Sequence, residues 1–175
     1  RLLLQNRAPN SLVSKLKADG LINGIDAAVE EQTRSFMLLE VSVELSESGL
    51  ARWREVGSQV FGYLRLLSQQ GVPPHVIADA RAINELNYRY AEASEAQSFV
   101  TSASGQLPYY SPELWVEGPA RLYAGGEEAL RYLLQATADP YSCFVTLTSK
   151  SVASSASLTE PIYGTRYGRR PIGAE

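Results

Sequence analysis

The strongest constraint on this chain is a change of hydrophobic period at one residue. In "FMLLEVSVELSESGLARWREVGSQVFGYLRLLSQQG", Met37, Leu39, Val41, Val43 and Leu45 alternate with Leu38, Glu40, Ser42 and Glu44. That is the two-residue period of a strand, and its polar far end marks one face as wet. At Ser46 the period switches. Leu50, Trp53, Val56 or Gly57, Val60, Phe61, Leu64 and Leu67 now recur at helical spacing. Ser46 is placed as the N-cap, Glu47 favours the positive end of the helix, and Gly71 closes it. A half-wet strand running straight into an amphipathic helix has to stack helix on sheet to bury both apolar faces.

The flanking segments extend this pattern. "NSLVSKLKADG" offers Asn10 or Ser11 as N-cap, an apolar face of Leu12, Val13 and Leu16, and Gly20 as a stop. "LINGIDAAVE" reads as a strand, paired antiparallel to the next through a turn near Glu30 to Thr33. Pro73 and Pro74 open another helix, where a missing N–H does no harm, with Val76, Ile77, Ala80, Ile83 and Tyr90 on its inner face. A further helix spans Glu95 to Gln106 and stops before Pro108, and a short turn of helix follows Pro112. Glu127 to Ala138 is expected to be helical, with Ala129, Leu130, Leu133 and Leu134 inward. "YSCFVTLTSK" reads as a strand and "SVASSASLT" as a mobile loop. No segment repeats. The fold class expected is α+β, a largely antiparallel sheet with helices packed on one face.

Composition narrows the function. The 175 residues are 45% hydrophobic, enough for one domain to bury its own core. Net charge is −3, and the charge is unevenly spread. Arg1, Arg7, Lys15 and Lys17 face only Asp19 in the first twenty residues, whereas Asp26 to Glu55 carries seven acids against Arg34, Arg52 and Arg54. With no continuous basic stripe, nucleic acid is not an expected partner. Arg166, Arg169 and Arg170 near the end read as a solvated tail. No apolar stretch approaches the ~20 residues of a membrane span, so no membrane is expected either. The opening "RLLLQ" is too short for a signal sequence and resembles the middle of an apolar segment, so the chain is expected to be a piece of something longer.

Catalytic patterns are missing. His75 is the only histidine. It cannot build H-x-x-H, H-E-x-x-H or H-x-x-E-H, each of which needs two imidazoles on one helical face, and it reads as a helix-entry surface residue. Cys143 cannot pair internally and sits in an apolar run, which suggests a small core residue. There is no phosphate-binding glycine loop and no G-x-S-x-G elbow. Glu85 with Arg89 and Glu55 with Gln59, each four apart, read as supports on solvated helix faces.

Taken in order, several segments resemble the insulysin/pitrilysin family of zinc peptidases, the inverzincins, over about Leu3 to Tyr167. They are "NSLVSKLKADGLINGI", "FMLLEVSVELSESGLARWREVGSQVFGYLRLL", "AINELNYRY", "YYSPELWVEGPARL", "FVTLTSK" and "EPIYGTRY". Each piece alone is weak; their order and spacing are specific, and the last motif most of all. The resemblance is to the second, non-catalytic domain of the family's N-terminal half. It implies a domain that braces the zinc domain and lines a peptide chamber. Zinc and the general base of H-x-x-E-H would then lie in a preceding domain, and these residues themselves would hold no cofactor. Residues 1–158 would form the domain and 159–175 an exit linker toward the next.

In relatives, a loop reading His-Glu-Gly-x-Gly-Ser helps anchor substrate by backbone pairing. Here "QNRAPNSL" puts Asn6, Arg7 and Ala8 in place of His-Glu-Gly and Asn10 in place of the second Gly. The resemblance makes Pro9, Asn10 and Ser11 the peptide contacts; a plain helix N-cap is the competing reading. The altered loop also favours an alternative function, a degenerate, inactive homologue serving as a binding or scaffolding protein. A third reading is an unrelated α+β partner-binding domain, which a different strand order would support. Expected partners are the remaining domains of the same peptidase and a peptide substrate. An isolated domain would also self-associate through bare apolar surface, around Tyr109 to Trp115 and Leu2 to Leu4.

Overall fold

The computed structural model describes residues 3–33, 35–122 and 126–172; Leu2 lies outside them. Its centre is an antiparallel hairpin of β1 (Ile22–Gln32) and β2 (Met37–Leu45). In register, Ile25 faces Val43, Ala27 faces Val41 and Val29 faces Leu39. These odd-numbered positions share a face with Leu45. Ile22 would point the opposite way, but a bulge between Ile22 and Gly24 shifts it by one residue onto the same side. Ile22 and Ala27 are consequently buried, while Asp26, Glu40, Ser42 and Glu44 on the other face are exposed.

Two helices cover the apolar side. In α1 (Leu12–Ala18), Leu12, Val13 and Leu16 are buried. It ends in a tight reversal in which Gly20 takes φ +66° and the amide of Leu21 donates to Leu16 O at 2.9 Å. The long helix is interrupted. Arg52 (φ −114°, ψ 29°) separates α2 (Glu47–Ala51) from α3 (Trp53–Gln70) and binds Glu55 through two nitrogens at 2.8 and 2.6 Å. Val56, Val60, Leu64 and Leu67 form the buried stripe of α3, and Gly71 ends it at φ +78°. The core joins Leu4, α1, the start of β1 and α3, with Ile25, Val41, Val43, Leu45 and Phe61 packed against it. Leu4 is therefore a core residue and not an exposed one, because the opening segment tucks under α3, where Tyr63 donates to Leu3 O at 3.4 Å.

The second half is looser. Pro74 opens α4 (Pro74–Arg89), which buries none of its residues; Ile83 and Tyr90, expected inward, are exposed. Among the described residues, α4 meets the rest of the chain through the Glu85–Arg121 ion pair, and none of its apolar positions is buried. Helix α5 (Ala96–Gln106) likewise buries none, and α6 (Glu127–Thr137) packs on α3 through Leu134, leaving Leu133 and Ala129 exposed. A 3-10 turn follows Pro112, as its position predicts.

The strand expected at Tyr141 to Lys150 does not form. Its start is a 3-10 turn, Pro140–Ser142, and Phe144 is 100% exposed. The backbone is extended at Cys143 and Ser149, so local preference is expressed, but a strand also needs a neighbouring edge to bond. Cys143 is half-buried, not a core residue, with its Sγ on Pro140 O at 3.1 Å. The loop expected to be mobile is instead a 3-10 helix, Lys150–Ser155, followed by a short antiparallel pair of β3 (Leu158–Thr159) and β4 (Arg166–Tyr167). Ser149, Ser151 and Ser155 hydroxyls tie that turn together locally.

Two substitutions test the core. Leu16→Ala removes a side chain with 0% exposure and is expected to cost about 2–5 kcal/mol. A methyl group on Gly49 would meet Leu21 O at 1.8 Å, so Gly49→Ala is expected to cost at least the ~1–3 kcal/mol of an overpacked site. Urea titration would read both as a lower midpoint at constant slope; an unchanged midpoint contradicts the packing described.

Candidate functional site

The loop before α1 and the wet face of the hairpin together form an open groove of about 590 Å³, lined by Gln5, Arg7, Gly24, Ile25, Asp26, Ser42 and Glu44. Strand pairing explains the grouping. Asp26 lies opposite Ser42 and Gly24 opposite Glu44, so the polar residues of two strands meet on one face. The Gln5 amide nitrogen donates to the Asp26 carboxylate, which ties the loop to β1. The floor carries two acids and the rim one arginine, an arrangement that offers hydrogen bonds and charge to an extended polar ligand.

The three residues singled out in sequence have different fates. Pro9 and Asn10 are exposed, and Ser11 is buried. Ser11 Oγ accepts the Ser14 amide at 3.1 Å, which makes Ser11 the N-cap, and its own amide donates to Ala8 O at 3.1 Å. Asn10 holds φ +64°, the only positive φ outside glycine among the described residues. This is the left-handed region that asparagine tolerates better than most side chains. The loop's need for a glycine-like conformation therefore falls on position 10, and Ala8 meets no such demand. None of the three lines the groove; Gln5 and Arg7 of the same loop do. The groove residues were missed in sequence. The alternation of β2 could have found Ser42 and Glu44, but pairing them with Asp26 needs the register.

Other candidate chemistry stays apart. His75 is exposed at the start of α4. Among the described residues no three His, Cys, Asp or Glu side chains gather where a metal ion could be held. Burial pushes the Cys143 thiol up, and the Asp139 carboxylate adds to the shift, which disfavours a thiolate. Glu85 pairs with Arg121 at 3.1 Å, across to the segment after Gly118, and not with Arg89 on its own helix. Arg121 also reaches Glu117 at 3.0 Å, so this cluster braces α4. Among the described residues no helix is long and apolar enough to cross a membrane.

No family model matches the chain. Individual proteins do. Human insulin-degrading enzyme is 27% identical over 176 residues, spanning 99% of this chain and 17% of its own length. The Drosophila melanogaster insulin-degrading enzyme is 24% identical over 166 residues, 95% of this chain and 17% of its own. Protease 3 of Escherichia coli is 27% identical over 99 residues, 56% of this chain and 10% of its own. Among solved structures, a crystal structure of pitrilysin superposes with a TM-score of 0.70 at 22% identity, covering 77% of this chain and 14% of that one. The chain thus spans about a sixth of the length of these curated relatives. The likeness to that structure is one of fold, which agrees with the α+β class expected.

The N-cap and the left-handed residue can be tested separately. Ser11→Ala is expected to lose about 1 kcal/mol of stability. Asn10→Gly is expected to be neutral or stabilising, whereas Asn10→Val is expected to cost about 1–2 kcal/mol. Equal stability of the glycine and valine variants in urea would contradict the assigned backbone.

Proposed function

Because the chain belongs to the insulysin/pitrilysin peptidase family, we propose that it is the second, non-catalytic domain of the N-terminal half of a zinc metalloendopeptidase. In this reading it braces the zinc domain and lines the chamber that receives peptides. Residues 1–158 make up the domain and 159–175 the linker that leaves it. Zinc would be held by residues of another domain, where it would supply an activated water. The carrying observation is that 99% of the chain aligns with a relative while occupying only 17% of it.

Peptide recognition falls to the turn of Pro9, Asn10 and Ser11. Pro9 and Asn10 are exposed beside the groove loop, and Asn10 keeps the backbone in the conformation a glycine would take. Ser11 acts through its backbone and position, since its hydroxyl caps α1. A photo-crosslinker placed at residue 9 of the full-length protein is expected to capture a bound peptide; failure to do so under saturating peptide removes this role.

The departure of "QNRAPN" from the family's loop supports a second reading, an inactive homologue that binds peptides or scaffolds a partner. Zinc content and peptide cleavage of the full-length protein separate the two. Stoichiometric zinc with hydrolysis supports the peptidase, and neither supports the inactive homologue. Stoichiometric zinc in the 175-residue chain by itself contradicts both.

The remaining domains are the natural cover for bare apolar surface. Phe36, Met37, Leu38, Leu39 and Val29 are all exposed at the far half of the hairpin, beyond the reach of α1 and α3. Tyr109 is also exposed, whereas Trp115 folds back and donates to Tyr110 O at 3.1 Å. The chain alone is therefore expected to self-associate, and Met37→Glu with Leu39→Lys to shift it toward monomer. Sedimentation showing a clean monomer at high concentration contradicts this.

A further inference from the structure

The basic end is exposed, as expected of a solvated tail, yet it makes specific contacts with the domain. The hairpin leading to it is closed by its own bonds. The Glu160 carboxylate accepts the amides of Ile162 and Tyr163 at 2.7 and 2.6 Å, the Glu160 amide donates to Thr165 O at 2.8 Å, and Gly164 turns at φ +69°. Arg166 then reaches the carbonyl of buried Ala156 at 2.7 Å. Gly168 lies so close to the preceding 3-10 helix that a methyl group there would meet Ser155 O at 2.8 Å. Beyond it, the Arg170 guanidinium sits 5.8 Å from the centre of the Trp53 ring, the first residue of α3. Arg54 holds the same ring at 4.8 Å. A cation within about 6 Å of an indole is attracted by the negative face of the ring.

From these contacts we infer that residues 159–170 are a latched strap: Arg170 on Trp53 fastens the departing segment to the start of α3 and so sets the direction in which the chain leaves the domain. The direction-setting part rests on the exit-linker reading of this segment; the latch itself does not. The strap has a fixed end and a releasable end. Strand pairing, Arg166 and the close seat of Gly168 hold it near Ala156, while one exposed cation–ring contact holds the far end. Such a contact opens readily, so the following chain is biased in direction without being locked.

Limited trypsin digestion of the full-length protein tests the latch, read by mass spectrometry at the bonds after Arg166 and Arg169. Trp53→Leu keeps apolar bulk and leaves both cleavage sites unchanged; it is expected to speed cleavage roughly two- to five-fold. Arg170→Ala should do the same at Arg166, Arg170→Lys should restore much of the protection, and Arg54→Ala should leave the rate as in the parent. Equal rates in Trp53→Leu and the parent overturn the latch, as does acceleration by Arg54→Ala to the same degree. The exit-linker reading fails separately, if the chain beyond the strap returns to pack within this same domain in an experimental structure. Near-ultraviolet circular dichroism confirming a folded Trp53→Leu variant keeps misfolding from imitating release.

Discussion

One junction holds the two halves of the core together: Ser46 and Gly49 seated on the backbone of Gly20 and Leu21. The Ser46 amide donates to Leu21 O at 3.0 Å and its hydroxyl to Gly20 O at 2.6 Å, while the same hydroxyl oxygen accepts the Gly49 amide at 2.9 Å. Ser46 thus caps α2 and at the same time binds the turn that joins α1 to β1. Gly49 allows the approach, because any side chain there would collide with the Leu21 carbonyl. With this contact made, the apolar stripe of α3 falls on α1 and the start of β1. The groove on the opposite face exists only because that packing fixes which side of the hairpin is wet.

The structure divides into a tightly determined half and a half that is short of partners. Up to Gly71, buried residues from α1, β1 and α3 meet in one cluster. After it, α4 and α5 bury none of their residues, and Phe144 is fully exposed. Single exposed apolar residues are ordinary on a protein surface; a contiguous apolar hairpin end is not.

What could be read from sequence follows this division. Caps and stops were legible because they are local: Ser11, Ser46, Gly20, Gly71 and Pro74 act through the backbone of their own neighbours. The alternation of β2 was legible for the same reason, and so was the buried stripe of α3. Four things were not. The bulge beside Asn23 depends on a core that claims Ile22. The break at Arg52 depends on α2 docking against Leu21, which a helical period carries straight through. The failed strand at Tyr141 to Lys150 and the exposed face of α4 show that periodicity reports a local preference, whereas pairing and burial also need a neighbouring element. For the candidate site, the N-cap at Ser11 was legible locally, whereas Gln5, Asp26, Ser42 and Glu44 converge only through strand register.

The central claim is a division of labour, in which this domain supports and another domain reacts. Anomalous diffraction at the zinc edge from crystals of the full-length protein addresses it most directly, because it locates the metal and its ligands in one map. The expected result is a zinc peak whose protein ligands all lie outside these 175 residues. A peak coordinated by His75, or by any carboxylate of this chain, would contradict it.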